Sequence, residues 1–302
     1  MPEIRVRFLD IQGRPCGEIG QEVAPALLAA LRDRIDPAVY LEQSADRVVL
    51  PFYERQRVPD VVRYEYNADT GQLTDVEDLG RFGSKEVPIG RLVTEVDQQG
   101  VLFILESPHE DEVNHLLEPR YPAVGDTGAR IHQHRERWAR LLRQLPVSAR
   151  SCRVSIILCE PLPHPASLRL RLKGKVKRVR NDLFRKAMGI KAVEAWFLQR
   201  LEMYAPALVI NACTGSIETP NRPEPACRNG PDPHKDPKAV VRAMLDGWAV
   251  DRAVGRSSYT SCKVDGTRRL MKLPVPELRL VEFPHPASWH TVGPENWFFG
   301  GD

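Results

Sequence analysis

The feature that most constrains the fold of this chain is an alternation, from residue 98 onward, of short apolar runs with helical stretches. The runs are VLFILE (101–106), RVSIILCE (153–160), ALVINAC (207–213) and LRLVEFP (278–284). Continuous apolar runs of this length are typical of strands buried on both faces, and alternation with helices favours a parallel sheet covered on both sides. We therefore predict a three-layer α/β/α fold with a central, mostly parallel sheet of four strands.

The first part of the chain has a different pattern. Its apolar and polar residues alternate, turn signals stand at QGRP and NADTG, and one helical segment, APALLAALRDRI, lies between them. We expect a small α+β accessory domain over 1–97 and a main domain over 98–302. Within the main domain, the proline-rich stretch at about 214–277 is predicted to be a long insertion, and such loops are usually functional or partly disordered.

Composition excludes several classes of protein. No stretch approaches the roughly 18 apolar residues of a membrane span, and MPEIRVRFLDIQG has no charged-then-apolar export signal. We expect a cytoplasmic monomer that does not bind membranes. The six cysteines form no C-x-x-C pair, so free thiols are expected in place of disulfides or a zinc site. The net charge of +3 is too small to identify a nucleic-acid partner by itself.

Polar, proline-containing turns follow three of the four predicted strands. They read ESPHEDE after the first strand, CEPLPHPAS after the second and FPHPASWH after the fourth. In open α/β sheets, ligands bind beyond the carboxyl ends of the strands. The functional site is therefore expected among these turns.

These turns also carry a family resemblance. LESPHEDEV (105–113), followed by PAVGDTG (122–128), resembles the first motif of the iron–sulfur branch of the uracil-DNA glycosylases. CRVSIILCEPLP resembles the second strand of that branch, and AWFLQRLEMYAPALVINAC its next helix and strand. HPASW (285–289) resembles the His-Pro-Ser signature of the superfamily. The resemblance implies a uracil-DNA glycosylase-like fold and hydrolysis of the N-glycosidic bond of an altered base in DNA, which leaves an abasic site.

The chain departs from this family at the cluster and at the base pocket. Only Cys159 falls on a cluster-cysteine position, and Ala192 stands near another, so no cluster and no other cofactor or metal is expected. The asparagine that reads the pyrimidine edge falls on Ser155, and the stacking aromatic residue falls on Ala123. Both changes remove bulk or hydrogen-bonding reach. Together with the long insertion at about 214–277, they favour a bulky modified cytosine of phage DNA, and thus antiviral defence; uracil excision in DNA repair is the alternative.

Two residues are predicted to be catalytic. Glu106 ends the first strand, where a carboxylate can stabilise the cationic sugar and orient water; the alternative is an acid that caps a helix. Under the resemblance, His285 donates to the leaving base; the alternative is a histidine hydrogen-bonded in a proline turn. Glu110 is a reserve candidate, and Glu112 is expected in a solvated turn.

The remaining predicted site residues bind the base or the DNA. The substrate set is Ser107, Pro108, His109, Ala123, Gly125, Ser155 and Asn211, although an exposed loop histidine explains His109 equally well. The DNA set is Ser288, Trp289, Lys173, Lys175, Lys177, Arg178 and Arg180. Most of the latter belong to the basic run 168–186, whose alternative is solvated surface. Trp289 has a core position as its alternative. A second HPAS motif, at 164–167, has no assigned role beyond a DNA or sugar contact.

Two other functions stay open. A metal-dependent nuclease would use His109, His132 and His134 with acidic residues, although His132 and His134 are two apart and would not share a helix face. A non-catalytic DNA-binding module would need only the basic run.

Overall fold

The computed structural model describes residues 1–76, 79–82, 85–109, 111–144, 153–170, 175–213, 237–254, 260–264, 268–272 and 279–282. The strands are β1 (Glu3–Leu9), β2 (Pro15–Glu22), β3 (Glu42–Gln43), β4 (Arg47–Tyr53), β5 (Val61–Asn67), β6 (Gln72–Asp75), β7 (Leu79–Phe82), β8 (Lys85–Pro88), β9 (Arg91–Leu92), β10 (Val101–Ile104), β11 (Arg153–Cys159), β12 (Leu208–Asn211), β13 (Thr260–Val264), β14 (Arg268–Lys272) and β15 (Arg279–Glu282). The α-helices are α1 (Pro25–Arg32), α2 (Asp126–Gln133), α3 (Arg135–Gln144), α4 (Lys175–Met188), α5 (Lys191–Tyr204) and α6 (Pro237–Val254), and 3₁₀ turns lie at Pro37–Val39 and Glu95–Asp97.

All four apolar runs form strands, and these strands are neighbours in one sheet. Their order is β11-β10-β12-β15, and each adjacent pair is parallel. Val101, the first residue of β10, is level with Ile156 on one side and Leu208 on the other. Antiparallel strands extend this sheet on both flanks to nine strands, so the whole sheet is mixed. The predicted α/β class is confirmed at this level.

Helices cover both faces of the parallel strands. Every residue of β10 is buried, and alternate residues belong to two different apolar clusters. Leu102 and Ile104 pack in the cluster that contains residues of α4, α5 and α6. Val101 and Phe103 pack in the cluster that contains residues of α2 and α3. Burial on both faces explains why the runs are apolar without alternation.

A second sheet, β2-β1-β4-β3, lies in the first part of the chain and packs on the α4–α5 side. Its apolar residues join the same cluster as these helices, and the rings of Phe8 and Trp196 lie 6.4 Å apart. Lys186 of α4 donates through Nζ to the carbonyl oxygen of Gly20 in β2, at 2.6 Å. The amino-terminal sheet and the two helices therefore share one core.

Strands from before residue 98 also enter the main sheet. β5 pairs antiparallel with β11, from Asn67 opposite Arg153 to Val61 opposite Leu158, and β6 and β9 pair with β5. A boundary at residue 97 would therefore cut through the nine-stranded sheet. The division into domains at that residue stays a prediction.

No helix in the part of the chain that the structure describes is long and apolar enough to cross a membrane.

Candidate functional site

The strand order reverses between two of the central strands, and in α/β folds such a reversal is where a ligand-binding crevice forms. β10 and β12 are neighbours, but the chain leaves β10 for β11 on one flank and leaves β12 for β15 on the other. Loops that depart in opposite directions leave an opening between them at the carboxyl edge of the sheet, where α/β proteins bind ligands. Leu105 and Glu106 follow β10 at this edge, and Ala212 follows β12.

Glu106 is buried at this opening and forms an ion pair. The residue is 4 % exposed, and its Oε1 lies 3.0 Å from Nε of Arg180 on α4. The next helix along the described chain is α2, which begins at Asp126, so Glu106 does not cap a helix. Burying a carboxylate costs several kcal/mol unless a cation compensates, which accounts for the buried partner. The structure thus places Glu106 where the strand pattern predicted it.

Arg180 is predicted to contact DNA phosphate, but the structure buries it. The residue is 8 % exposed and its guanidinium is directed to Glu106 and to the side-chain oxygen of its neighbour Asn181. Arg178, one half-turn earlier on α4, is exposed as expected for a DNA contact. Lys175 and Lys177 lie in the first turn of α4, and Lys173 lies outside the described residues.

A second acidic pair lies at the same edge. Glu112 and Glu160 are each 3 % exposed, and the carboxyl group of Glu160 donates a hydrogen bond to that of Glu112. Burial raises the pKa of both groups, and the charge of Glu112 raises that of Glu160 further. Two buried carboxyl groups in contact cannot both ionise cheaply, so Glu160 keeps its proton. The expectation that Glu112 lies in a solvated turn is wrong; its Oε2 accepts from the backbone N–H of His109 at 2.9 Å.

This pair should make stability depend on pH. The folded chain holds the Glu160 proton above pH 4.5, the ordinary pKa, where the unfolded chain has lost it. The stabilisation is therefore complete below that value and is lost as the pH rises through the raised pKa. We expect Glu160→Gln, neutral at every pH, to lose less stability than the parent in urea unfolding as the pH rises above 4.5.

Glu95→Gln, at an exposed position, is the control for this experiment and should leave the slope of stability against pH unchanged. Equal slopes in the parent and in Glu160→Gln would contradict a shared proton.

Arg63 of β5 fixes the loop that contains Ala123 and Gly125. This fully buried guanidinium donates to the carbonyl oxygens of Pro122 and Ala123, the latter at 3.1 Å, and burial lowers its pKa. Ala123 has a positive φ of 49°, and a Cβ on Gly128 would lie 1.5 Å from its oxygen, so only glycine fits there. The Ala123 side chain packs in the apolar cluster with α2 and α3. Its place in a base pocket, in the position of a stacking ring, stays a prediction.

Ser155 lies at the opposite edge of the sheet. It precedes Ile156, which is level with the first residue of β10, and its Oγ donates to Oδ1 of Asp97 at 2.6 Å. The structure therefore does not bring Ser155 to the carboxyl edge of the sheet, and its role in reading the base stays a prediction that this position does not favour.

The other predicted substrate residues lie at the carboxyl edge. Asn211 ends β12 and is buried, and its Nδ2 donates to the carbonyl oxygen of Lys238 at 3.2 Å. Ser107, Pro108 and His109 follow Glu106, with Pro108 buried and the other two half-buried. Gly125 is the residue that precedes α2. His285, Ser288, Trp289 and Glu110 lie outside the described residues.

A buried ionic network, absent from the sequence prediction, holds the turn after β11. Arg200 of α5 contacts both oxygens of Asp60, at 2.8 and 3.0 Å, and donates to the carbonyl oxygens of Glu160 and Pro161 at 2.8 and 2.9 Å. Tyr204 donates to Asp60 at 2.7 Å. The pKa of Arg200 is raised by its anionic partner despite burial, which opposes that shift. The network keeps Glu160 and the next residues at the crevice.

The first HPAS motif follows this turn. His164 is 3 % exposed, stacks on Phe52 of β4 at 4.8 Å and meets Trp196 edge-on at 6.3 Å. Burial, with the charges of Arg200 and Arg57, lowers its pKa to about 3, so the imidazole is neutral at physiological pH. The motif therefore contributes a buried histidine that belongs to no predicted site set.

The histidines considered for a nuclease do not assemble a metal site within the described ranges. There, no group of three or more His, Cys, Asp or Glu side chains is arranged to hold a metal ion. His132 lies on α2, with Nδ1 3.7 Å from Asp75, and its ring stacks near Tyr64.

Comparison with known proteins gives no relative: no protein-family model, no curated protein and no solved structure matches this chain. Its function must therefore be argued from the geometry of the site.

Proposed function

We propose that this chain is a DNA glycosylase without a metal, which uses Glu106 to hydrolyse the N-glycosidic bond of a modified or damaged base. The observation that carries the proposal is the buried carboxylate of Glu106 at the point where the strand order reverses, with Arg180 of the basic helix α4 beside it. An acid buried at a ligand-binding edge is costly to stability, and sites of catalysis are where such costs are found.

The fold supports the proposal. Four parallel strands in the order second-first-third-fourth, with helices on both faces, are compatible with the three-layer arrangement that the resemblance to uracil-DNA glycosylases implies. We propose that the chain has this arrangement, with the antiparallel strands as additions to it. Fold alone does not determine function, so the main support for the proposal comes from the site.

The chemistry requires a negative charge next to the sugar. In the hydrolysis, the bond from C1′ of the sugar to the base nitrogen breaks, the oxygen of water bonds to C1′, and a proton ends on the base. Positive charge develops on the sugar, which a carboxylate stabilises most strongly in a buried site. In the free protein Arg180 neutralises Glu106. On this proposal the sugar of an extruded nucleotide approaches that carboxylate, and His285 donates to the departing base.

DNA is proposed to lie against the amino-terminal part of α4. Arg178 is exposed there, and the neighbouring run from 168 to 186 is rich in lysine and arginine. Such residues bind the phosphate backbone without reading sequence.

The proposal does not specify which base is released. The preference for a bulky modified cytosine, and for antiviral defence, depends on Ala123, on Ser155 and on the long insertion at about 214–277. It is weakened because Ala123 packs among apolar side chains and Ser155 binds Asp97 at the opposite edge of the sheet. Uracil and a modified cytosine are therefore to be compared on equal terms.

The test is base release from duplexes that carry uracil, hydroxymethylcytosine or glucosylated hydroxymethylcytosine, with mass detection of the free base and alkali cleavage at the abasic site. Release from one duplex identifies the substrate, provided that an unmodified duplex is left intact. DNA binding with no release from any duplex would replace the enzyme with a DNA-binding module.

A further inference from the structure

A pocket of about 180 Å³ lies between the amino-terminal sheet and the first HPAS motif. Its walls come from the 3₁₀ turn after α1, from the end of β4, from the loop after β10 and from the turn after β11. The lining includes Ala38, Phe52, Tyr53 and His164. Segments distant in the sequence thus meet at one concave surface that the crevice chemistry does not use.

The pocket suits an uncharged ligand with a flat ring, because Phe52, Tyr53 and His164 contribute rings to its walls. Each lining residue is uncharged at neutral pH, His164 included, because burial keeps its imidazole neutral. Phe52 covers one face of that imidazole, which fixes its orientation. Nε2 of His164 is buried and makes no hydrogen bond within the described part of the chain. A neutral imidazole offers one N–H donor and one lone pair, as heterocyclic rings do.

Positive charge lies beside the pocket. The guanidinium of Arg55 is 5.4 Å from the ring centre of Tyr53, a lining residue, and the charge of Arg57 acts on His164. Arg55 is exposed and Arg57 is half-buried, on the loop that follows β4. A ligand with a planar, neutral part in the pocket and an anionic part outside would satisfy both features.

We propose that this pocket binds a nucleobase, with the attached phosphate directed to Arg55 and Arg57. The base comes either from a free nucleotide or from a DNA strand, and the recognition chemistry is the same for both. The proposal is independent of glycosylase activity, because it concerns binding alone.

The experiment measures binding by the full chain of thymidine 5′-monophosphate, of ribose 5-phosphate and of a single-stranded thymidine pentanucleotide, by calorimetry and ligand-observed NMR. Ala38→Trp fills the pocket from an exposed position, and His164→Phe removes the ring nitrogens but keeps an aromatic ring. Ile11→Trp, on the exposed β1–β2 turn, is the matched control.

We expect thymidine monophosphate or the pentanucleotide to bind at least about tenfold more tightly than ribose 5-phosphate, a difference of about 1.4 kcal/mol. Ala38→Trp should remove this preference and Ile11→Trp should keep it. If Ala38→Trp abolishes the tight binding of thymidine monophosphate, the base comes from a free nucleotide. If it abolishes the tight binding of the pentanucleotide alone, the base comes from a DNA strand. No binding of either, equal binding of ribose 5-phosphate, or binding unchanged in Ala38→Trp would overturn the proposal. Thermal unfolding verifies each fold; if His164→Phe does not fold, Ala38→Trp decides.

Discussion

Replacing Glu106 with glutamine should lower base release by about 10²- to 10³-fold while DNA affinity changes little. The substitution keeps the size of the side chain but removes the charge that stabilises the cationic sugar, and loss of one such electrostatic group costs rates of about this size. Single-turnover release from the best substrate measures the chemical step, and fluorescence anisotropy with the same duplex measures affinity. Asp111→Asn, an exposed acid in the same loop, is the matched control and should keep the parent rate.

Glu106→Gln also leaves the buried Arg180 without its anionic partner, so a loss of folding must be separated from a loss of chemistry. The double variant Glu106→Gln/Arg180→Gln removes both charges and should recover stability but not base release. A Glu106→Gln variant that releases base at the parent rate would exclude Glu106 from the mechanism.

Replacing Arg200 with methionine should lower the free energy of unfolding by about 3–5 kcal/mol, the usual cost of breaking one side of a buried ion pair. Asp60 would stay buried without its cationic partner, and the carbonyl oxygens of Glu160 and Pro161 would lose the donor that Arg200 provides. Urea unfolding monitored by circular dichroism gives the value. Arg178→Met, at an exposed position on α4, should change it by less than about 0.5 kcal/mol.

The ion pair has its own test in a double-mutant cycle. Arg200→Met/Asp60→Leu replaces both charges, so the second substitution should cost far less in the Arg200→Met background than alone. Additive losses would show that Asp60 and Arg200 do not stabilise each other.

The strands and one site residue could be predicted from the sequence because their signals are local. A continuous apolar run indicates burial on both faces, and a polar residue at its carboxyl end, such as Glu106, must lie at the ligand-binding edge. Glu160 ends a run in the same way, and that position was the available signal for it. The local pattern does not show that Glu112 lies beside Glu160 and shares its proton.

The remainder depends on contacts between distant residues. Arg63 and Arg200 are arginines in polar contexts of the sequence, where exposure is the ordinary outcome, and their burial is decided by carbonyl groups 59 and 40 positions away. The alternation in β5 indicates a strand, but nothing in it specifies pairing with β11. The position of Ser155 in the motif predicts a role in reading the base, whereas its position along the strand direction is set by the register between neighbouring strands.

The pairing of β5 with β11 has a consequence for the integrity of the molecule. In the described structure β11 is an interior strand, with β10 on one side and β5 on the other. A fragment that began at residue 98 would turn β11 into an open edge, with a row of backbone N–H and C=O groups free to pair with another chain. It would also lose Arg63 and Asp60, and with them the anchors of the loops around the crevice. We therefore expect the amino-terminal segment to protect the part of the chain from residue 98 onward from self-association, so that it cannot be removed as an appendage.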